Sequence, residues 1–243
     1  MGKERQDEII SYLKIYETVS VRKLTELLFA SEATVRRDLN ELEKKGLVRR
    51  VFGGASLVVK DNSQIPLFVR ENENAAAKIE LCGQASELIR DGNVIFLDAS
   101  STAQCMVRFL SRFQNLTVVT NGLKIAGLLH DNHIRTFCTG GSLIQNSYAF
   151  AGKQAERFLE DIRTDICFLS CLGMSEDGLF TDSSESETYL RQVALQGART
   201  RVMLMTDSKF GKTYMHKLCH SRDVDHIFTN GVLPEGIILR KPK

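Results

Sequence analysis

Apolar residues near the start of the chain recur at the three- and four-residue spacing of helices. A first helix is predicted around Ile9, Ile10 and Leu13. Thr18-Val19-Ser20 interrupts it, and Ser20 is expected to begin a second helix because its hydroxyl can accept a backbone N–H of the following turn. The second helix has an apolar side formed by Leu24, Leu27 and Leu28.

A third helix and a hairpin complete this first pattern. Ser31 is expected to begin the helix and Gly46 to end it. Its buried side is predicted to consist of Val35, Leu39 and Leu42. Two short β-prone runs then flank Gly53-Gly54, which predicts a small hairpin. A helix–turn–helix followed by a hairpin is the winged-helix arrangement.

Beyond about residue 74 the pattern changes to alternating helices and strands. A helix is predicted over 75–90, and strands are predicted at 94–97, 117–119, 134–138, 166–169, 202–205 and 226–229. Such alternation predicts a mainly parallel sheet covered by helices. Residues 60–66 are polar and end at a proline, which indicates a linker. The predicted fold class is α/β, with a winged helix-turn-helix at 1–58, a linker at 59–73 and a second domain at 74–243.

Composition narrows the class of protein. The chain has 243 residues and a mass of 27.3 kDa, with 43% apolar and 26% charged residues. These values exclude a disordered chain, a collagen-like repeat and a coiled-coil rod. No apolar run approaches the roughly 20 residues that span a bilayer, and the charged N-terminus does not resemble a secretory signal. A cytoplasmic location and no membrane partner are therefore expected.

The six cysteines are expected to be reduced thiols, because the chain has no CxxC pair and no sign of secretion. Cys167 and Cys171 are predicted to share one face of a strand, but no further ligand lies near them in the sequence. The five histidines are scattered along the chain. We therefore expect no metal site.

The net charge of +2 is small, but basic residues are concentrated in pairs such as Arg36-Arg37 and Arg49-Arg50. A helix that enters the major groove needs short polar and long cationic side chains, and a hairpin can contact the DNA backbone or minor groove. The alternative is a helical packing module with a solvated charged face. The candidate DNA-binding residues are Ser31, Thr34, Arg36, Arg37, Asn40, Arg49, Arg50, Gly53 and Gly54.

A second candidate site follows the strand at 94–97. There Asp98 leads into Ser100, Ser101 and Thr102 at the predicted start of a helix. A phosphate is favoured at the start of a helix by the unpaired backbone N–H groups, by the helix dipole and here by three hydroxyls. The loop also lies where open α/β sheets bind ligands, at the carboxyl ends of their strands. The alternative is that the hydroxyls only cap the helix.

Loops after other strands and two cations extend this second site. Arg191 either pairs with Glu187, four residues earlier, or faces the pocket and binds an anion. Lys209 is a further candidate cation, and loop glycines either allow the backbone to approach a ligand or simply form turns. The candidate effector-binding residues are Asp98, Ser100, Ser101, Thr102, Thr120, Asn121, Gly140, Gly141, Gly173, Glu187, Arg191 and Lys209.

The segment Ser31–Leu42 closely resembles the recognition helix of the DeoR family of bacterial transcription regulators, and Gly46–Ala55 resembles the wing of that family. Asp98–Thr102 looks like the phosphate loop of the family, Lys78 matches its sensor pattern and Ser208–Gly211 matches its late signature. The resemblance implies a sensor domain similar in fold to sugar-phosphate isomerases and coenzyme A transferases. It also implies control of carbohydrate operons by a phosphorylated sugar, an effector and not a cofactor, bound by the Asp98–Thr102 loop.

Three positions depart from the family pattern. Ser100 stands where glycine is frequent, and Arg191 stands where the helix usually carries lysine, which keeps the charge but changes the hydrogen-bonding geometry. Thr206 stands at the usual aspartate, with Asp207 one place later. A neutral side chain at that point could alter the choice of effector.

The leading hypothesis is a sugar-phosphate-responsive transcription regulator, with repression as the default expectation. It is expected to bind double-stranded operator DNA as a homodimer or higher oligomer, because each of two half-sites needs its own helix–turn–helix. An alternative is a sugar-phosphate isomerase or deaminase, for which Asp98, Glu185 and Glu187 would permit proton transfer. The DNA-reading segment disfavours that enzyme, and no catalytic residue is predicted. A third hypothesis is a constitutive DNA-binding regulator with a silent sensor pocket.

Overall fold

The computed structural model divides the chain into two compact units, Met1–Arg70 and Glu71–Lys243. Within them the structure describes residues 2–16, 18–51, 53–57 and 67–240. Most of the predicted linker at 59–73 therefore lies outside the described residues, as do Phe52 of the predicted wing and Val58. The last part of the predicted linker contains a short helix, α4 (Leu67–Asn72).

The described residues of the first unit form three helices and three short strands, followed by the start of α4. In chain order these are α1 (Gly2–Tyr16), β1 (Thr18–Ser20), α2 (Val21–Leu28), α3 (Glu32–Lys44), β2 (Val48–Val51) and β3 (Gly54–Leu57). The strands make an antiparallel sheet in the order β1-β3-β2, so the predicted hairpin is confirmed. The segment Thr18-Val19-Ser20, expected only as a break, is a strand that pairs with the hairpin.

Local signals at the helix ends are confirmed. The backbone N–H of Lys23 donates to Ser20 Oγ at 3.1 Å, and that of Thr34 donates to Ser31 Oγ at 3.3 Å, so each serine caps the helix that follows it. Gly46 ends α3 with a φ of 70°, a left-handed conformation that glycine adopts without steric cost. Apolar side chains of all three helices and the sheet pack into one core, including Ile9, Leu13, Leu24, Val35, Leu39 and Leu42.

The second unit alternates strands and helices as predicted. Its first half contains α5 (Ala75–Ala85), β4 (Val94–Leu97), α6 (Ser101–Gln104), α7 (Val107–Leu110), β5 (Thr117–Thr120), α8 (Leu123–Asp131), β6 (Arg135–Cys138), β7 (Ser142–Ile144) and β8 (Ala149–Ala151). Its second half contains α9 (Lys153–Glu160), β9 (Thr164–Leu169), β10 (Gly173–Met174), β11 (Leu179–Asp182), α10 (Glu185–Gly197), β12 (Ala198–Leu204), β13 (His216–His220) and β14 (His226–Phe228). The helix predicted over 75–90 ends at Ala85 and is followed by a 3-10 turn at Ser86–Leu88.

Six strands form a parallel sheet in the order β14-β12-β9-β4-β5-β6. Side chains alternate between its two faces, since Ile95 and Leu97 enter one hydrophobic core and Phe96 enters the other. Both faces are therefore buried, as the apolar strand sequences predicted. The chain runs outward from β4 to β6 and then resumes beside β4 at β9, so the strand order reverses between β4 and β9. Open α/β sheets bind ligands at such a reversal.

Two small antiparallel sheets were not predicted. One is the hairpin of β7 and β8, and the other has the order β10-β11-β13. Their strands have two to five residues, too few for alternation to stand out in the sequence. The β7–β8 hairpin bears on the site below because its backbone pairs with Asn121 and Gly122 after β5.

No helix among the described residues is long and apolar enough to cross a membrane. The described cysteines are free thiols, and Cys138 is the exposed one among them. Burial raises the pKa of Cys171 to about 12, so this thiol is protonated at neutral pH. No group of three potential metal ligands occurs in the described parts of the chain.

Candidate functional site

The outer side of α3 presents two arginines. Val35 and Leu39 are buried against the rest of the unit, which leaves Arg36 and Arg37 exposed. Arg36 is paired along its own helix, with Nη2 donating to Glu32 Oε1 at 2.5 Å. The side chain of Arg37 makes no hydrogen bond or ion pair with any residue that the structure describes. Its guanidinium is therefore available for a partner outside the chain.

Other predicted DNA-binding residues also have structural tasks. The hydroxyls of Ser31 and Thr34 lie 2.8 Å apart at the start of α3. Arg50 Nη1 donates to Asn40 Oδ1 at 2.7 Å, which links the hairpin to α3. Arg49, the neighbour of Arg50, remains exposed.

The two hairpin glycines differ in what requires them. Gly53 has a φ of +75°, the left-handed region that glycine favours. A Cβ on Gly54 would lie 2.3 Å from the carbonyl oxygen of Val19, so the pairing of β1 with β3 requires glycine there. The structure thus gives both glycines a role in building the hairpin.

A half-buried ion pair that was not predicted fixes α3 against α1. Arg5 Nε donates to Asp38 Oδ2 at 2.5 Å, and the Asp38 side chain is almost fully buried. Gln6 extends the contact, because its Nε2 donates to Glu41 Oε2 at 2.5 Å. The available signal was the charge of Asp38 on the same side of the helix as Leu42, where an apolar residue is expected.

In the second unit, the loop after β4 is held by its own side chains. Asp98 Oδ1 accepts the Ser100 hydroxyl at 2.6 Å, and Ser100 Oγ in turn accepts the backbone N–H of Ala103 at 3.0 Å. Asn121, after β5, accepts the N–H of Ala99 at 3.0 Å and donates to the carbonyl of Phe150 at 3.0 Å. Asn121 therefore ties this loop to the β7–β8 hairpin.

Thr120 is buried in the same part of the sheet edge. Its hydroxyl donates to the carbonyl oxygen of Leu97 at 2.8 Å and accepts the backbone N–H of Gly122 at 3.0 Å. The side chain therefore braces the ends of β4 and β5 against each other.

Arg191 is the centre of a buried group of charges. Its Nε lies 2.7 Å from Asp98 Oδ2, its Nη1 lies 2.8 Å from Asp182 Oδ2 and its Nη2 lies 3.2 Å from Glu187 Oε2. Burial opposes the charge of the guanidinium, but the three carboxylates outweigh this effect and raise the pKa of Arg191. The sequence left open whether Arg191 pairs with Glu187 or faces the pocket. It pairs with Glu187 and also reaches the loop of Asp98.

Two lysines lie beside this centre. Lys78 is 4% exposed, and its Nζ donates to Ser101 Oγ at 3.0 Å. Lys209 Nζ donates to Ser170 Oγ at 2.7 Å, while the backbone N–H of Ser170 donates to Asp98 Oδ2 at 3.3 Å. The loops after β4, β9 and β12 thus converge at the reversal of strand order.

The loops of this region contain two unsatisfied hydroxyls, that of Ser183 beside Asp182 and that of Thr102 after β4. The hydroxyl oxygen of Thr102 is buried and has no hydrogen-bond partner among the described residues. An unmade hydrogen bond of a buried polar group costs about 1–3 kcal/mol. A ligand that donates to or accepts from Thr102 would recover that cost.

The predicted glycines of the site are explained by packing. A Cβ on Gly141 would lie 2.6 Å from the carbonyl oxygen of Ala151, and one on Gly173 would lie 2.3 Å from that of Lys212. Gly140 has a φ of +65°. Each glycine thus serves a turn or a close approach of backbones.

Thr206, the departure noted above, is buried within the same unit. Its hydroxyl lies 2.9 Å from that of Ser208. The backbone N–H of Asp207, the next residue, donates to Asn230 Oδ1 at 3.1 Å.

Sequence reasoning missed three members of the centre. Lys78 matched the family pattern but was not among the predicted site residues. Asp182 and Ser170 were not among the predicted site residues either. The polar pair Ser170-Cys171 directly after an apolar strand was the available signal, since that is where open α/β sheets bind ligands.

A winged helix-turn-helix with exposed arginines, followed by an α/β domain with a polar centre at its strand ends, defines a DNA-binding transcription regulator with a separate sensor domain. The family described as "DeoR-like helix-turn-helix domain" matches residues 5–61, and that described as "DeoR C terminal sensor domain" matches residues 73–231. The chain belongs to the DeoR family of transcription regulators.

Similar proteins include other regulators of this type. The chain is 31% identical over 235 residues to the HTH-type transcriptional regulator GolR of Listeria innocua, with 96% of this chain and 92% of that protein covered. It is 31% identical over 234 residues to the lactose phosphotransferase system repressor of Staphylococcus epidermidis, with 93% and 91% covered. Among solved structures, the ribose 5-phosphate isomerase A of Methanocaldococcus jannaschii is 18% identical, with 57% of this chain and 55% of that chain covered and a TM-score of 0.43.

Proposed function

We propose that this regulator represses a carbohydrate operon by binding operator DNA through α3 and the hairpin, and that a phosphorylated sugar bound in the second unit controls it. The carbohydrate part of the proposal is supported by the similarity of this chain to the lactose phosphotransferase system repressor of Staphylococcus epidermidis. Exposed Arg37 and Arg49 support the DNA part, because cationic side chains contact base edges and phosphates. An operator with two half-sites needs two helix–turn–helix units, so we propose that the protein binds DNA at least as a homodimer.

The observation that carries the effector proposal is the group of Lys78, Ser101 and Thr102. A buried ammonium, a hydroxyl beside it and an unsatisfied hydroxyl suit the oxygens of a phosphate, which accept charge-assisted hydrogen bonds. Burial of Lys78 excludes water that would otherwise weaken the attraction. The phosphate would therefore occupy the loop after β4.

The sugar part would face the carboxylates around Arg191. Sugar hydroxyls donate hydrogen bonds, and Asp98, Asp182 and Glu187 provide acceptor oxygens at the reversal of strand order. All three carboxylates are already bound to one guanidinium, which gives them a structural task. That pairing disfavours the isomerase or deaminase alternative, and we propose that the protein has no enzymatic activity.

A thermal-shift screen tests the effector proposal. Purified protein is heated with inorganic phosphate, and with glucose 6-phosphate, fructose 6-phosphate and ribose 5-phosphate beside their unphosphorylated parents. A ligand at about 100 times its Kd should add roughly 2.7 kcal/mol to the free energy of unfolding. A shift with a phosphorylated sugar and not with its parent supports the proposal. Conversion of a bound sugar phosphate to another product would favour the enzyme, and no shift in a widened panel would favour the silent pocket.

A pair of matched variants locates the site. Thr102→Val removes the unsatisfied hydroxyl at the carboxyl end of β4. Thr164→Val removes the other buried, unpartnered threonine hydroxyl in the described chain, at the amino end of β9 and so at the opposite edge of the sheet. The shift caused by the sugar phosphate should shrink in Thr102→Val and persist in Thr164→Val. Equal thermal shifts in the two variants would show that the phosphate does not bind at the loop after β4.

A further inference from the structure

Phe29 lies between the two helices of the helix–turn–helix in an unfavourable conformation. It follows the last residue of α2, has a φ of 48° and a ψ of 38°, and is 98% exposed. Single exposed apolar residues are common on protein surfaces, so exposure alone implies nothing. A bulky side chain at a positive φ is a different matter, because that region of backbone space is disfavoured for residues other than glycine.

The turn itself requires the left-handed backbone. The backbone N–H of Phe29 donates to the carbonyl of Thr25, and that of Ala30 donates to the same oxygen at 3.3 Å. These bonds close the carboxyl end of α2, where glycine or asparagine usually stands because both tolerate a left-handed backbone better than bulkier residues do. Phe29 is strained there, and no packing within the chain compensates for the strain, since its ring lies in solvent. Neither local conformation nor burial therefore accounts for a phenylalanine here.

The position of Phe29 points to a partner. It lies two residues before Ser31, the residue that caps α3. When a helix-turn-helix docks, the first residues of the second helix meet base edges while the first helix crosses the backbone. The turn that joins the two helices is thus brought to the edge of the major groove, where thymine methyl groups are apolar contact points.

We propose that Phe29 contacts operator DNA and packs its ring against a thymine methyl group, so that it contributes to the choice of sequence. The inference rests on the proposed DNA-binding function and adds a contact that cationic and polar residues cannot supply. Strain at this turn is then offset in the complex, where the ring leaves water. Residues held in strained conformations often serve function in this way.

The test uses a duplex of about 30 base pairs that the full-length wild-type protein selects from a random library, and an unrelated duplex of equal length. Phe29→Gly should relieve the strain and raise Tm, yet weaken binding to the selected duplex about tenfold. Phe29→Ala should weaken binding as much without raising Tm, because alanine keeps the steric cost. Phe29→Tyr should restore affinity to within about threefold of wild type, since it keeps the ring. Met215→Ala, which truncates another exposed apolar residue in the second unit, should change neither value.

Two further readouts separate this contact from an electrostatic one. The dependence of affinity on salt should be the same for Phe29→Gly and wild type, because an apolar contact releases no counterions. A repeat selection with Phe29→Gly should lose a preference for thymine at one position in each half-site. Unchanged affinity and preference in Phe29→Gly, or an equal loss on the unrelated duplex, would overturn the inference. Failure of the wild type to select any duplex would instead overturn the proposed DNA-binding function, and the inference with it.

Discussion

Glu187 and Arg191 are one helical turn apart on α10, and their contact is the longest of the three that the guanidinium makes. Arg191 Nη2 lies 3.2 Å from Glu187, against 2.7 Å for Nε to Asp98 and 2.8 Å for Nη1 to Asp182. The Glu187 carboxylate accepts one other hydrogen bond in the described chain, from the hydroxyl of Ser147 at 2.9 Å. Asp98 and Asp182 each accept further bonds from loop backbone. Glu187 is thus the carboxylate that is most easily displaced.

The first prediction concerns the guanidinium. Arg191→Met would leave Asp98 and Asp182 buried without their partner, and the loss of one member of a buried ion pair costs about 3–5 kcal/mol. We expect urea unfolding to show a decrease of that size. Glu187→Gln should cost less, because the other two carboxylates still balance Arg191. Arg222→Met, at an exposed arginine of the same unit, is the control and should change the stability by less than about 0.5 kcal/mol. Equal stability of Arg191→Met and wild type would show that the charged centre does not stabilise the fold.

The second prediction concerns the outer side of α3. Arg37→Ala should weaken binding to the selected duplex by about 1–3 kcal/mol if its fork contacts a guanine, and should leave the free energy of unfolding unchanged because Arg37 has no partner within the described chain. Arg222→Ala is the matched control. Fluorescence anisotropy at fixed salt gives the affinities. Full affinity in Arg37→Ala would remove this residue from the DNA interface.

Short-range signals in the sequence predicted the parts of these sites that lie within one element. The caps at Ser20 and Ser31 need only a hydroxyl and the next turn of backbone, and both are found. The parallel sheet followed from apolar strands alternating with helices. Asp98 was predicted because polar residues directly after a buried strand lie at the sheet edge where ligands bind.

Long-range pairings could not be predicted in this way. Arg191 and Asp98 are 93 positions apart, and Arg5 and Asp38 are 33 apart. Their contact depends on the order of strands and on how helices pack, which periodicity does not determine. Phe29 could not be predicted either, because its positive φ is a backbone angle that an ordinary helix–turn pattern does not reveal.

The third prediction concerns alkaline pH. Burial raises the pKa of Cys171 to about 12, whereas the unfolded thiol ionises near its ordinary value of about 8.5. Between these values the unfolded chain has released a proton that the folded chain retains, so this group lowers the free energy of unfolding as pH rises from about 9 towards 12. Urea unfolding at pH 8 and pH 10 should show the decrease. Cys171→Ala should make it smaller, while Cys138→Ser, at an exposed thiol, should alter it less. The same decrease in Cys171→Ala and wild type would assign it to other groups.

The fourth prediction concerns the link between Ser147 and Glu187. Ser147 lies between β7 and β8, so its bond to Glu187 ties that hairpin to the charged centre of Arg191. Ser147→Ala removes a hydrogen bond to a carboxylate, worth about 1.5–3 kcal/mol, and should speed amide hydrogen exchange in the hairpin. Glu187→Ala should have the same effect, because it removes the same bond from the other side. The double variant should exchange no faster than the faster single variant, since one interaction cannot be lost twice.

Ser142→Ala, an exposed serine of the same hairpin, is the control. Additive effects of the two substitutions would show that Ser147 and Glu187 act on the hairpin separately. The expected non-additivity would mean that one hydrogen bond links them. A ligand that displaces Glu187 from Arg191 would then act directly on the hairpin through that bond.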